Sequence, residues 1–219
     1  MTIARTIITV DGIDGSGKSM FARRLLAGLE AGGYRGVAVS VDDFRRVVEW
    51  TTAADEADLY YDGYYDLVAA EAALAQFLAG APEVAIPSFD VRAERVTGAR
   101  HVRLEGVSVA VVEGVFPLRI PPAAAGMVIH LDTSKPEARR RIIARDLEKG
   151  RTREEIERRI DRRYFPAQER YRASFAPRDR ADVVIDNERP EAPVALKRDL
   201  RRLPAALQPI LDRLLPPTK

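Results

Sequence analysis

The chain has 219 residues, a formal net charge of +2, and 46% hydrophobic and 31% charged residues. That is an ordinary globular balance with enough length to bury one substantial core, so a single domain over residues 1–219 is expected. It contains no cysteine, which excludes a disulfide framework, a zinc–thiolate site and a thiol nucleophile. No apolar run has the length of a bilayer span or a signal peptide, so a soluble cytoplasmic protein without a membrane partner is expected.

Thr6 to Val10 is β-branched and apolar and stops at Asp11-Gly12, which predicts a buried parallel strand feeding a glycine turn. Ser16 to Gly32 carries Phe21, Leu25, Leu26 and Leu29 at helical spacing. Val37 to Val41 is a second predicted strand, ended by Asp42-Asp43, followed by a helix over 64–79 and a short strand from Val84 to Ile86. The polar stretch 88–104 predicts an excursion in the form of a β-hairpin over the site. Val107 to Val112 and Met127 to Leu131 are strands that end in acids. Pro136 to Lys149 and Arg153 to Phe175 are helices separated at Gly150, with a lid-like segment over about 136–175. Val183 to Ile185 is a last strand, before a Pro-punctuated helical tail. Short apolar strands alternating with helices indicate an α/β fold, a mostly parallel sheet flanked by helices, whose ligands bind at the carboxyl ends of the strands.

Gly12-Ile13-Asp14-Gly15-Ser16-Gly17-Lys18-Ser19 matches G-x-x-x-x-G-K-[ST] between a strand and a helix. In such a P-loop the glycines let backbone N–H groups turn inward around phosphate oxygens, the lysine reaches the β and γ phosphates, and the serine hydroxyl meets Mg²⁺. Gly12, Asp14, Gly15, Ser16, Gly17, Lys18 and Ser19 are therefore the expected ATP cradle, with ATP and Mg²⁺ as cofactors. Asp42, or its neighbour Asp43, stands where a carboxylate would accept the proton of an attacking hydroxyl. Glu113 ends a buried strand in the Walker B place, which suits a Mg²⁺ ligand beside Ser19. In the arginine-rich stretch most cations read as a solvated face, whereas Arg145, Lys149 and Arg151 beside Gly150 are the ones expected over the phosphates.

With these pieces the chain resembles the uridine kinase, phosphoribulokinase and pantothenate kinase group of P-loop kinases, over Thr6 to about Asn187. The resemblance rests on the P-loop, Val41-Asp42-Asp43-Phe44, Tyr60-Tyr61-Asp62-Gly63-Tyr64-Tyr65-Asp66, Ser88-Phe89-Asp90, Val112-Glu113-Gly114, Arg145-Asp146 with Gly150-Arg151, and Arg178 to Asn187. It implies a P-loop NTPase fold and an ATP-dependent phosphotransferase acting on a hydroxyl of a small metabolite. It also implies Asp42 as the catalytic base beside Lys18, Glu113 on Mg²⁺, and Asp62 on the acceptor. Tyr65, among the tyrosines at 60, 61, 64 and 65, and Phe89 are expected at the acceptor pocket, and Arg92 with Arg95 would suit an anionic acceptor. A nucleoside acceptor is favoured, with a pantothenate-like compound or sugar phosphate as the alternative. The run after Phe89-Asp90 is Val91-Arg92-Ala93-Glu94-Arg95, without the histidine of the uridine-reading pattern, so uridine is expected to be a poor acceptor. Asn187 and Arg189 are expected near the adenine. The [NT]-K-x-D motif of a guanine-reading switch is absent, and the acids among the arginines argue against a nucleic-acid partner. A homo-oligomer stays open.

Overall fold

The computed structural model describes residues 3–50, 55–90 and 95–218. Strand β1 (Thr6–Gly12) leads through a glycine loop into α1 (Lys18–Ala31), and β2 (Arg35–Ser40) runs into a 3₁₀ turn, Val41–Phe44. The second strand thus stops one residue before the expected Val41. Ser40 accepts from the Asp42 N–H and starts the turn instead. Helix α2 (Glu56–Asp58) opens into a π turn, Leu59–Gly63. Helix α3 (Leu67–Leu78) begins only after Asp66, whose side chain caps it through the Ala69 N–H, rather than at residue 64.

The hairpin β3 (Glu83–Asp90) and β4 (Arg95–Arg103) is antiparallel and forms its own two-stranded sheet, a longer excursion than predicted. After β5 (Val107–Glu113), a 3₁₀ turn Pro117–Arg119 and α4 (Pro121–Ala125) lead into β6 (Met127–Asp132). Then come α5 (Lys135–Glu148), capped by Ser134, and α6 (Arg153–Arg159), capped by Thr152. A π turn Ile160–Tyr164 carries the chain without a break into α7 (Phe165–Phe175). Pro166 explains the widening, since it has no N–H to return to the preceding turn. Helix α8 (Pro177–Arg180) precedes β7 (Val183–Asp186). The tail is not all helical as expected: β8 (Val194–Arg198) closes the sheet before α9 (Gln208–Leu214).

The main sheet runs β2-β5-β1-β6-β7-β8, parallel except for the antiparallel β8 edge. Both of its faces are covered, as a parallel sheet requires. Successive side chains alternate between two cores: Ile7, Ala110 and Val112 join the aromatic core with α3, and Ile8, Val109 and Val111 join the core under α1 and α9. A third, smaller cluster of Ala138, Ile142, Ile143, Ile156, Ile160 and Phe165 holds the α5–α7 segment together. Among the described residues no helix is long and apolar enough to cross a membrane.

Candidate active site

The glycine loop wraps the carboxyl end of β1. Gly15 has φ +81° and its missing Cβ would lie 2.6 Å from the Ala138 carbonyl oxygen, so only glycine lets α5 press this closely on the loop. The Lys18 ammonium is buried and donates to the Gly12 and Ile13 carbonyls at 2.8 and 2.9 Å. An ammonium has three N–H donors, so one stays available to a phosphate oxygen. The first N–H groups of α1, at Lys18 and Ser19, have no acceptor within the helix and add a positive dipole end. The Ser16 hydroxyl is buried with no partner.

The Ser19 hydroxyl donates to Glu113 at 2.8 Å, and Glu113 is 8% exposed. Among the described residues no cluster of three or more acids, histidines or cysteines could cage a metal. A hydroxyl and one carboxylate beside a phosphate cradle instead match what Mg²⁺ takes, with phosphate and water completing its shell. The donor set fits that ion. Register explains the placement: Glu113 pairs with Val10 on β1 and with Ser40 on β2, so the carboxylate emerges between the glycine loop and the turn that carries Asp42. Gly114 lets that turn approach, since its Cβ would lie 2.8 Å from the Val41 Cβ at φ +133°.

The adjacent aspartates diverge. Asp42 faces the cradle and lines one cavity of about 310 Å³ with Lys18, Ser19, Glu113 and Arg145. It pairs with Arg45 at 2.7 Å, and the Tyr65 hydroxyl lies 3.4 Å from it. Asp43 turns to the hairpin and pairs with Arg100 at 2.7 Å. The Tyr65 hydroxyl also lies 3.3 Å from that of Tyr60, which donates to Asp14 at 3.3 Å. Burial, then the Asp14 charge for Tyr60 and the Asp42 charge for Tyr65, pushes both phenols well above their usual range. They therefore act as neutral hydroxyls.

The basic residues beside Gly150 converge on Asp146, which is 1% exposed. It accepts from Arg145 at 2.7 Å and Arg151 at 2.9 Å, with Lys149 at 3.7 Å. Burial alone would raise the Asp146 carboxyl, but the Arg145 bond and the neighbouring cations outweigh it and hold it below its usual range. These residues wall a second cavity of about 290 Å³, which shares Asp14, Asp42 and Arg145 with the first. Its walls carry Arg45, Arg145, Lys149, Arg151, Arg159 and Arg163, together with tyrosines 60, 64, 65 and 164.

Tyr65 thus lies in the cleft, but two other expected acceptor residues do not. Asp62 turns outward to Arg119 at 3.1 Å and Arg170 at 2.7 Å, because the π turn shifts its phase away from the tyrosines. Phe89 sits on the hairpin opposite Val96 and lines neither cavity. Arg92 lies outside the described residues. On the other flank, Asn187 donates to the Ser16 carbonyl at 2.7 Å and lines an apolar cavity of about 270 Å³ with Gly17, Met20, Phe21 and Pro190. Arg189 is exposed and lines none of it.

Sequence reasoning missed Arg45, Arg141 and Gln168. Arg141 donates to the Asn187 and Glu188 carbonyls at 2.8 and 3.0 Å, bracing the cradle from α5. Its spacing of four from Arg145 placed both on one helix face and was the available signal. Gln168 donates to Asp14 at 3.0 Å from far along the chain, with no local signal.

No protein-family model matches the chain, and no curated protein matches it significantly. Solved structures do. A possible uridine kinase from Bacillus stearothermophilus superposes with a TM-score of 0.64 at 24% identity, covering 84% of this chain and 90% of that one. The chain has the fold of the uridine kinase-like P-loop kinases. A Silicibacter sp. TM1040 protein, provisionally described as a fructose transport system kinase, gives 0.63 at 22% identity over 78% of this chain and 86% of its own. The YGR205w protein gives 0.61 at 16% identity over 86% and 88%.

Proposed function

We propose that this chain is an ATP-dependent kinase that transfers the γ-phosphoryl group to a hydroxyl of a small metabolite. The observation that carries this reading is the single cavity in which Lys18, Ser19, Glu113 and Asp42 face one another, open through Asp14, Asp42 and Arg145 onto a second cavity able to hold an acceptor. Asp42 accepts the proton of the attacking hydroxyl while that oxygen bonds to the γ-phosphorus and the bond to the bridging β,γ-oxygen breaks, releasing ADP. Lys18, Arg145 and the N-terminus of α1 balance charge on the phosphoryl oxygens. Ser19 and Glu113 would hold Mg²⁺, which would supply positive charge to the phosphates. The cavity beside Asn187 is of a size and polarity suited to the adenine.

A nucleoside is the acceptor the resemblance favours, with a sugar phosphate or a pantothenate-like acid as the alternative. The test has two arms. Mg²⁺-ATP should raise the melting temperature by mass action, with GTP no better. ADP release should then depend on one class of compound in a panel of nucleosides, sugars, sugar phosphates and hydroxy acids. A protein stabilised by GTP in preference to ATP, or by neither, and releasing ADP with no compound, is not a kinase of this kind.

A further inference from the structure

The second cavity has an imbalance that a neutral acceptor leaves unused. Six cations line it, against three carboxylates, Asp14, Asp42 and Asp146. Asp14 is engaged by Tyr60 and Gln168. Asp146 is shared among Arg145, Lys149 and Arg151, and it pins the two arginines while Lys149 stays at 3.7 Å. Glu56 holds Arg163 from behind at 2.9 Å, and that guanidinium also lies 3.3 Å from the Trp50 ring centre. Arg159 is held at its tip by Glu155 at 2.5 Å, but its Nε is buried with no hydrogen-bond partner. Arg45 has one carboxylate, Asp42, and that is the group the transfer step needs for the acceptor hydroxyl.

A buried guanidinium N–H without a partner carries a desolvation penalty, and the Arg159 side chain, braced by Glu155 and Tyr164, still lines the cavity. Lys149 reports the same field: burial first, then the Arg145 charge and those of Arg151 and Arg45, draws its ammonium below its usual range despite Asp146. Triphosphate oxygens in the first cavity would meet Arg145, which lines both. Arg45, Lys149 and Arg159 lie in the second cavity only.

We propose that the acceptor is an anion, a hydroxyl compound bearing a carboxylate or phosphate, held by Arg45, Lys149 and Arg159 with its hydroxyl presented to Asp42. The proposal rests on the transfer reading above and departs from a nucleoside acceptor on charge. Binding would draw Arg45 onto the ligand and free the Asp42 carboxylate for the hydroxyl proton. The second cavity is small for a ligand pocket, about 290 Å³, which suits a compact acid or sugar phosphate.

The experiment uses matched pairs that differ only in the anion: glycerate and glycerol, gluconate and glucitol, ribose 5-phosphate and ribose, with uridine as the neutral nucleoside. Initial rates of ADP release are measured with saturating Mg²⁺-ATP. The turned-over compound should be anionic, with kcat/KM about 10- to 100-fold above its neutral twin, the worth of one or two charge-assisted hydrogen bonds. Arg159→Gln and Lys149→Gln should raise the KM for that anion more than they lower kcat. In parallel, the protein saturated with a non-hydrolysable Mg²⁺-ATP analogue is melted with each compound at matched ionic strength. The anions should raise the melting temperature in the wild type and not in Lys149→Gln. A neutral twin or uridine as the best acceptor overturns the proposal, as does the lack of any anion-dependent shift in the nucleotide complex. The transfer reading fails separately, on absent Mg²⁺-ATP stabilisation together with no ADP release.

Discussion

Replacing Asp42 by Asn keeps the side chain's shape and removes its capacity to accept a proton. The Asp42 carboxylate pairs with Arg45 at 2.7 Å, and its side chain is 46% exposed. A pair this open is worth at most about 1 kcal/mol, so the melting temperature should move by no more than a few degrees. The rate should move far more. A positioned general base supplies about 10² to 10⁴ in rate, which is roughly 2.7 to 5.4 kcal/mol of barrier. The kinetic loss should therefore exceed the stability loss several-fold in free energy.

Asp43→Asn is the internal comparison, because Asp43 is the neighbour in sequence but bonds Arg100 on the hairpin. It should cost about 1 kcal/mol of stability or less and little in rate. Single-turnover transfer with saturating Mg²⁺-ATP and a verified acceptor isolates the chemical step from product release. A greater loss in Asp43→Asn, or a near-wild-type rate in Asp42→Asn, would refute the assignment of the base.

Three other outcomes follow from the same geometry. Lys18→Ala should lower kcat by about 10² to 10³ or more while the chain stays folded, since it removes a donor aimed at the phosphates and not core volume; circular dichroism and single-turnover rates check it. Gly114→Ala should cost about 1–3 kcal/mol through its positive φ and the contact with Val41. It should also lower kcat by pushing Asp42 away from Glu113, a pairing of effects read from melting curves and rates together. Asp146 has a depressed folded pKa, so its contribution is present above the usual aspartate value and is lost as pH falls through the lower folded one. Asp146→Asn should be destabilised by about 1–3 kcal/mol near pH 7, the worth of its charge-assisted hydrogen bonds to part-exposed cations, and the gap from wild type should narrow as pH falls below the usual aspartate range. A gap that persists undiminished in acid would show that Asp146 does not act through its charge.

The strand–glycine loop–helix unit was legible because everything it needs is local: a strand, a glycine loop, Lys18, Ser19 and a helix, in consecutive residues. The buried strands were legible for the same reason, as unbroken apolar runs ending in an acid or a glycine. What was not legible depends on phase or on distant partners. Asp62 looked like a cleft residue in a tyrosine-rich stretch, yet a π turn rotates it onto Arg119 and Arg170. Strand β8 was hidden because Val194 to Arg198 is short, half charged at its end and preceded by Pro193, and only pairing with β7 makes it a strand. Arg45 was read past because nothing in Phe44-Arg45-Arg46 distinguishes an arginine folded over Tyr64 and Asp42 from one in solvent.

The placement of the acidic residues follows from strand order, which no local pattern encodes. The P-loop leaves β1, Glu113 ends β5 and Asp42 follows β2, and these three strands are neighbours in the order β2-β5-β1. Adjacent strands lie about 4.8 Å apart, so Glu113 stands one strand from the loop and Asp42 two. The nearer carboxylate reaches the loop, accepting from Ser19 at 2.8 Å. The farther one is separated from the loop by about the space that an in-line phosphoryl group and its acceptor oxygen would fill. The cations beyond Asp42 line the second cavity, so under the anionic-acceptor proposal it is their charge, more than the identity of the base, that would select the hydroxyl compound.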